Sequence, residues 1–200
     1  MNSYSQLIMP FDEGGGTAPP TPTATLTVST NTCGDKTVTR SGTPPAGVVW
    51  YWQTSASGTN MDNSTTTYIV SLGGTRTIYL RAHKPANGMW STGTVSTSVT
   101  VNLYPGAPAT PSVDNQCGQT VLTRGTPPSG VTWYWQGTDS NGTSTANSAT
   151  TYAVTSAGTY YIKARSSAGC WSSSSTAVSV TITPYTQPSV SISQQGSTIC

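Results

Sequence analysis

Short segments of alternating apolar and polar residues run through the chain, separated by turns rich in Gly, Pro, Asn and Ser. A period of two places every second side chain on one face, which is typical of a half-buried β-strand. No segment shows the 3.6-residue period of an amphipathic helix. The pattern predicts seven strands in each half of the chain: 25–30, 36–40, 48–53, 59–62, 66–71, 75–82 and 94–103, then 111–114, 119–124, 131–136, 143–147, 150–155, 159–165 and 176–183.

The two halves of the chain are copies of one sequence unit. Cys33-Gly recurs as Cys117-Gly, and the run TPPAGVVWYWQ in the first half recurs as TPPSGVTWYWQ in the second. The tetrapeptide GMWS around Met89 recurs as GCWS around Cys170, and the offset drifts only from 84 to 81 residues. A repeat of this length indicates tandem domains that differ by small insertions in loops.

The repeat boundaries divide the chain into four parts. Residues 1–22 are predicted to be a flexible lead-in, 23–104 the first repeat, 109–185 the second, and 186–200 the start of a third. Seven short strands in about 80 residues favour a β-sandwich of two sheets. We therefore predict an all-β protein made of tandem sandwich domains of about seven strands.

Composition narrows the function classes. Charged residues form only 7% of the chain and the net charge is +2, with no cluster of Lys and Arg. Binding to nucleic acid is therefore not expected. No apolar run approaches the roughly 18 residues that a membrane span needs. Four cysteines at patterned positions indicate an oxidising compartment outside the cytoplasm.

Three segments resemble parts of Ig-like domains. Residues 120–124 resemble strand B, 131–135 resemble strand C with its core tryptophan, and 157–161 resemble the turn into strand F. The whole unit, from CG through PPxGVxWYWQ to GCWS, resembles the tandem Ig-like repeats of large secreted Bacteroidota cell-surface proteins of the adhesin or rearrangement-hotspot (YD-repeat) type. The resemblance implies export, a secreted or cell-surface location, and a role that is structural or adhesive.

Aromatic and aliphatic positions on the predicted strands are candidates for the two cores. In antibody-type domains a disulfide joins strands B and F, whereas here Leu122 (or Arg124) and Ile162 take those places. Large rings on one face of a strand are expected to be buried, since they hold a small sandwich together. The expected core residues are Trp50, Trp52, Trp133, Trp135, Leu122 and Ile162.

Four further aromatic residues are candidate contact residues. Tyr51 and Tyr134 alternate with the core tryptophans and so face the other way. Trp90 and Trp171 lie near the predicted F–G turn, where they would pad a junction between repeats, cover the core edge or bind a ligand. Exposed aromatic rings also suit stacking on sugars, which keeps a glycan or protein partner open.

The cysteines leave two pairings open. Cys117 and Cys170 lie in one repeat, but Cys33 lacks such a partner because Met89 replaces the counterpart of Cys170. If the domain has seven strands and each reverses direction, the A–B and F–G turns lie at opposite ends of the domain, roughly 20 Å apart. With six strands, both turns would lie at the same end. A disulfide needs Cα atoms within about 7 Å. Cys33–Cys170, between neighbouring repeats, is therefore the preferred pairing, with Cys117–Cys170 as the alternative.

Candidate catalytic and metal-binding residues are scarce. His83 is the sole histidine, and the six acidic residues do not recur between the repeats. We find no carboxylate pair, nucleophile elbow or zinc-type spacing, so we expect no enzyme activity, no cofactor and no metal site. Arg40 and Arg124 do recur before the Pro-Pro loops, and we expect them to bond loop carbonyls.

Two functions follow from these residues. The first is a non-catalytic spacer of an exported cell-surface protein, stiffened by disulfides between neighbouring repeats of the same chain. The second is an adhesion module that binds glycan or protein through loops and exposed aromatic side chains. The apolar stretch 7–11 is either part of a disordered leader or a docking segment for a partner's sheet edge or groove.

Overall fold

The computed structural model describes residues 16–185, and within them every regular element is a β-strand. The expected third repeat at 186–200 and the apolar stretch 7–11 lie outside the described residues. The chain divides between Leu103 and Tyr104 into two compact units. We call them the first unit and the second unit.

The first unit contains two antiparallel sheets. One has the order β1-β2-β4. The other has β5 at its centre, with β3 on one side; on the other side β7 and β6 both pair with β5, β7 along its first part and β6 at its end. The strands are β1 (Leu26–Val28), β2 (Lys36–Arg40), β3 (Val49–Gln53), β4 (Thr67–Val70), β5 (Gly74–Lys84), β6 (Met89–Trp90) and β7 (Val95–Val101).

The second unit repeats this arrangement. Its sheets have the orders β8-β9-β11 and β10-β12-β13, again antiparallel. The strands are β8 (Ser112–Gln116), β9 (Gln119–Thr123), β10 (Val131–Trp135), β11 (Thr151–Val154), β12 (Gly158–Ser166) and β13 (Thr176–Val180). A bridge between Arg165 and Trp171 stands where β6 pairs with β5 in the first unit.

Each unit buries its own apolar core between its two sheets. Trp50 and Trp52 are each 2% exposed in the first core. Leu122 and Ile162, each 0% exposed, pack in the second core with Trp133 and Trp135. Alternation along each strand directs these side chains inward, and burial stabilises a side chain of this size by about 1.5–3 kcal/mol.

Two of the predicted strands, 59–62 and 143–147, are wrong, because neither segment is a strand in the structure. Side chains take the place of a neighbouring strand there. The amide of Gln53 donates to the Asn60 carbonyl oxygen at 2.6 Å and accepts from its N–H at 2.9 Å. In the second unit Gln136 forms the same two bonds with Ser144, at 2.9 and 2.8 Å.

Between β10 and β11 the chain crosses the full length of the second unit without forming a strand. The bridge between Cys117 and Thr183 is parallel, so β8 runs in the direction of β13, and β11 follows β8 through two antiparallel pairings. Strand β10 also runs in that direction, through β12. Because β10 and β11 point the same way, the connection 136–150 must return from one end of the unit to the other.

Candidate functional site

The turn that carries Cys117 lies beside the end of the last strand of its unit. Gly118, with φ of 77°, donates its N–H to the Thr183 carbonyl oxygen at 2.9 Å. The same turn occurs in the first unit, where Gly34, with φ of 81°, donates to the Asn102 carbonyl oxygen at 2.8 Å. Only glycine adopts such a positive φ without strain. The Cys-Gly pair therefore holds each cysteine beside the segment that follows the last strand, where the acceptor lies one residue past β7 and three residues past β13.

Cys170 lies in the turn between β12 and β13. Its N–H donates to the Ser166 hydroxyl oxygen at 3.1 Å, and its carbonyl accepts from the Ser166 N–H at 2.8 Å. The side chain is 1% exposed. In the first unit the counterpart is Met89, which is 42% exposed. The two repeats thus differ at the one turn where a second cysteine would stand.

The alternative pairing of Cys117 with Cys170 is wrong. Cys117 lies beside Thr183, past the end of β13, whereas Cys170 precedes its first residue, Thr176. Seven extended residues span roughly 20 Å, about three times the reach of a disulfide. Cys117 is an exposed free thiol, and Cys33 and Cys170 are both disulfide-bonded.

Side chains at the ends of β9 and β10 hold the crossing segment of the second unit in place. Arg124 donates to the carbonyl oxygens of Ala149 at 3.1 Å and Ser148 at 2.7 Å. The Trp135 indole N–H also donates to Ala149, at 3.0 Å. Together with Gln136 these residues form what we call the second crossing clamp. The expectation that Arg124 bonds loop carbonyls is confirmed.

The first unit has the equivalent set, which we call the first crossing clamp. Arg40 donates to the carbonyl oxygens of Thr65 and Ser64, both at 3.1 Å, and Trp52 donates to Thr65 at 3.0 Å. The guanidinium also lies over the Trp50 ring, 5.4 Å from its centroid. Burial lowers the pKa of Arg40 from its ordinary value, because desolvation penalises the charged form. Both clamps act on the backbone, so their role is structural.

The first unit carries an aromatic cluster on the outer face of its β3-β5-β6 sheet. Trp90 lies 5.7 Å from Tyr51 and 4.6 Å from His83 between ring centroids. Arg81 lies over the Trp90 ring at 5.6 Å. His83 is only 8% exposed. The sole histidine is thus packed between the rings of Tyr51 and Trp90.

The second unit repeats the aromatic cluster with one exchange. Tyr134 lies 5.6 Å from Trp171, and Arg165 lies over Trp171 at 5.7 Å. The register of β10 and β12 places Arg165 where the first unit has His83. A tyrosine, a tryptophan and a cation therefore recur on the same face of both units, with both aromatic rings half-buried.

Each unit is an Ig-like β-sandwich. Residues 105–184 match the family model described as Ig-like domain CHU_C associated. No curated protein shows significant similarity to the sequence.

Several solved structures resemble the chain. Domains 7, 8 and 9 of the S-layer protein SbsC are 15% identical over 86% of this chain and 64% of that chain, with a TM-score of 0.30. The chicken interferon gamma receptor alpha chain is 12% identical over 80% of this chain and 99% of that one, with a TM-score of 0.36. A cytokine receptor complex is 14% identical over 78% and 96%, with a TM-score of 0.34.

Sequence reasoning missed one buried polar pair. The Ser91 hydroxyl accepts from the Ala82 N–H at 3.1 Å and donates to the Gly93 carbonyl at 2.8 Å. Ser172 forms the same bonds with Ala164 and Ser174, at 3.2 and 2.7 Å. The sequence did carry a signal for this pair, because Trp-Ser recurs near each F–G turn. Only the tryptophan of that pair was taken as a candidate residue.

Across residues 16–185 the structure contains no helix with the length and apolar character that crossing a membrane requires. Within the same residues, no three His, Cys, Asp or Glu side chains come together as a metal site would require.

Proposed function

We propose that this chain is a structural spacer of an exported cell-surface protein, in which a disulfide between Cys33 and Cys170 joins neighbouring Ig-like repeats. One observation carries the proposal: Cys33 and Cys170 are disulfide-bonded, whereas Cys117, which holds the position of Cys33 in the second unit, is a free exposed thiol. A disulfide inside the second repeat is excluded by distance, since Cys117 and Cys170 lie at opposite ends of the unit. The first repeat has Met89 where such a partner would stand.

The bond would change the mechanics of the array. Cys33 and Cys170 are 137 residues apart in sequence, and closing a loop of that length stabilises the folded state by about 5 kcal/mol in the chain-entropy model. A covalent link in addition to the peptide linker also limits the angles open to two successive repeats. A row of repeats linked in this way would behave as a stiff spacer.

Peptide mapping of the oxidised chain tests the pairing. Digestion without reduction is expected to yield a peptide in which Cys33 is joined to Cys170. A peptide joining either residue to Cys117 or Cys200 would contradict the proposal. Small-angle scattering then tests stiffness: the Cys33→Ser variant should show a broader distribution of interatomic distances than the parent. Cys117→Ser, which removes a thiol and no bond, is the matched control.

The second candidate function is adhesion, and the recurring aromatic clusters favour it. Tyr51 with Trp90 and Tyr134 with Trp171 present half-buried rings on the same face of each unit. Stacking on a flat sugar face suits such rings. However, Arg81 and His83 already pack against Trp90, which leaves the tyrosines as the available surface.

Binding to a panel of immobilised oligosaccharides tests the adhesion hypothesis. If one sugar binds, the double variant Tyr51→Ala, Tyr134→Ala should weaken binding at least tenfold. Tyr185→Ala is the control, because Tyr185 is exposed and belongs to neither cluster. Absence of binding to every sugar, or equal binding by the double variant, would exclude a glycan role for the clusters.

A further inference from the structure

We propose that Cys117 is the attachment site for a cysteine of a following Ig-like repeat, at the position that Cys170 holds in the second unit. The proposal rests on the proposed function, because it applies the Cys33–Cys170 pairing one repeat further along the chain. It assigns a covalent partner to a thiol that the second unit itself leaves free.

The first argument is that the same position already forms a disulfide in the first unit. Cys33 and Cys117 each precede a glycine with positive φ, and each glycine donates its N–H to a carbonyl just past the last strand of its unit. Val38 and Leu122 each lie five residues after the cysteine, but the strand before it is shifted by one residue, since their partners Val28 and Val113 lie five and four residues before it. Cys33 is disulfide-bonded. Cys117 therefore shares with Cys33 its place in the repeat and the glycine contact to the segment after the last strand.

The second argument concerns the surface around Cys117. The thiol is exposed, and all five residues of the preceding strand β8 are exposed, including Val113 at 42%. Tyr185, two residues beyond the bridge partner Thr183, is 72% exposed. Tyrosine is enriched in surfaces that a partner covers. The end of the second unit that carries Cys117 thus presents an exposed thiol and, two residues past its bridge partner, an exposed aromatic side chain.

The third argument concerns the partner position. In the second unit the F–G turn holds Cys170 on two hydrogen bonds with Ser166, and the flanking Trp171 is packed under Arg165. A following repeat with the same Gly-Cys-Trp-Ser turn would present its cysteine in the same fixed geometry. Pro188-Ser-Val, which repeats Pro111-Ser-Val, is the sequence sign that another repeat begins there.

Formation of this bond needs an oxidant, and a dithiol–disulfide oxidoreductase is the appropriate class. The Cys117 thiolate attacks one sulfur of the oxidant's disulfide, which gives a mixed disulfide and releases the oxidant's other sulfur as a thiolate. The thiolate of the partner cysteine then attacks the Cys117 sulfur and displaces the oxidant. The two cysteines lose two protons and two electrons, and the oxidant's disulfide becomes a dithiol.

A lengthened chain tests the proposal directly. A second copy of residues 104–184 is inserted after Pro184, so the whole native chain is kept and the junction before Tyr104 is reproduced. In the inserted copy Cys117→Ser removes its own free thiol, and Ser173→Ala, at an exposed position, marks its F–G peptide by mass. Cys200→Ser removes the remaining competitor. The protein is oxidised with glutathione, alkylated, and digested without reduction.

The digest gives separate answers for the two proposals. We expect one peptide pair joining Cys33 to the unmarked Cys170, and a second joining Cys117 to the mass-marked cysteine. If the first pair forms but Cys117 is alkylated, the inference fails while the proposed function stands. If Cys33 and the unmarked Cys170 are not joined, both the proposed function and the inference about Cys117 fail. As the control, Cys170→Met in the inserted copy, which reproduces the residue found at Met89, should leave Cys117 fully alkylated.

Discussion

The side-chain amide of Gln53 pairs with the backbone of Asn60 as a neighbouring strand would, donating to its carbonyl oxygen at 2.6 Å and accepting from its N–H at 2.9 Å. Gln136 repeats this with Ser144. Each glutamine is almost fully buried, at 2% and 8% exposure. One buried side chain in each unit thus replaces the strand that alternation predicted.

Replacing Gln53 by methionine is expected to destabilise the first unit by about 1–3 kcal/mol, because two backbone groups at Asn60 lose their partners while the volume is kept. Urea unfolding of the oxidised chain measures the loss. Hydrogen exchange should also accelerate at the Asn60 amide more than elsewhere in the first unit.

The control for this prediction is Gln116→Met. Gln116 is exposed, and its side chain bonds only to other side chains: it donates to the Asp114 carboxylate at 2.8 Å and accepts from the Gln119 amide at 2.9 Å. Its replacement should change stability by no more than about 0.5 kcal/mol. Equal effects of the two substitutions would show that the Gln53 amide is not what holds the crossing segment.

Arg124→Lys is expected to destabilise the second unit by about 1–2 kcal/mol, since lysine lacks the planar fork that reaches two carbonyls at once. The matched control is Ser148→Ala, because Ser148 contributes its carbonyl oxygen and not its side chain to the bond with Arg124. Thermal unfolding compares the two variants with the parent. An unchanged midpoint for Arg124→Lys would mean that charge alone, without the fork, is sufficient.

Ser172→Ala is expected to destabilise the second unit by about 1–3 kcal/mol, because the buried Ala164 N–H loses its acceptor. The neighbouring Ser173 is exposed, so Ser173→Ala should have an effect within about 0.5 kcal/mol of zero. Urea unfolding of both variants under oxidising conditions measures the difference. A tolerated Ser172→Ala would imply that another group reaches the Ala164 amide.

The fold could be predicted from the sequence because its signals are local. Trp50 and Trp52 alternate with Tyr51, and this period alone assigns the tryptophans to the core and the tyrosine to the outer face. Recurrence of the Cys-Gly and Trp-Ser pairs located the repeats. The segments 59–62 and 143–147 were misassigned because periodicity does not reveal that a glutamine side chain supplies the hydrogen bonds of a missing strand.

The cysteine site could be predicted only in part. The sequence left two pairings open because the choice depends on whether the A–B and F–G turns lie at one end or at two. That in turn depends on the connection 136–150, which crosses the second unit without being a strand. The parallel bridge of Cys117 with Thr183 decides the position of the first turn, and no local pattern indicates such a bridge.

Gly118→Ala is expected to destabilise the Cys117 turn by about 1–2 kcal/mol, because Gly118 has a φ of 77° and a Cβ there is strained. No atom lies within 4 Å of the added Cβ, so the effect would come from the backbone alone. Gly106→Ala is the matched control, since its Cβ also meets open space but its φ is not positive. Asparagine tolerates this conformation better than alanine, so Gly118→Asn should lose less stability than Gly118→Ala. Urea unfolding of the three variants tests this order, and equal stability of Gly118→Ala and Gly106→Ala would show that the turn does not require a positive φ.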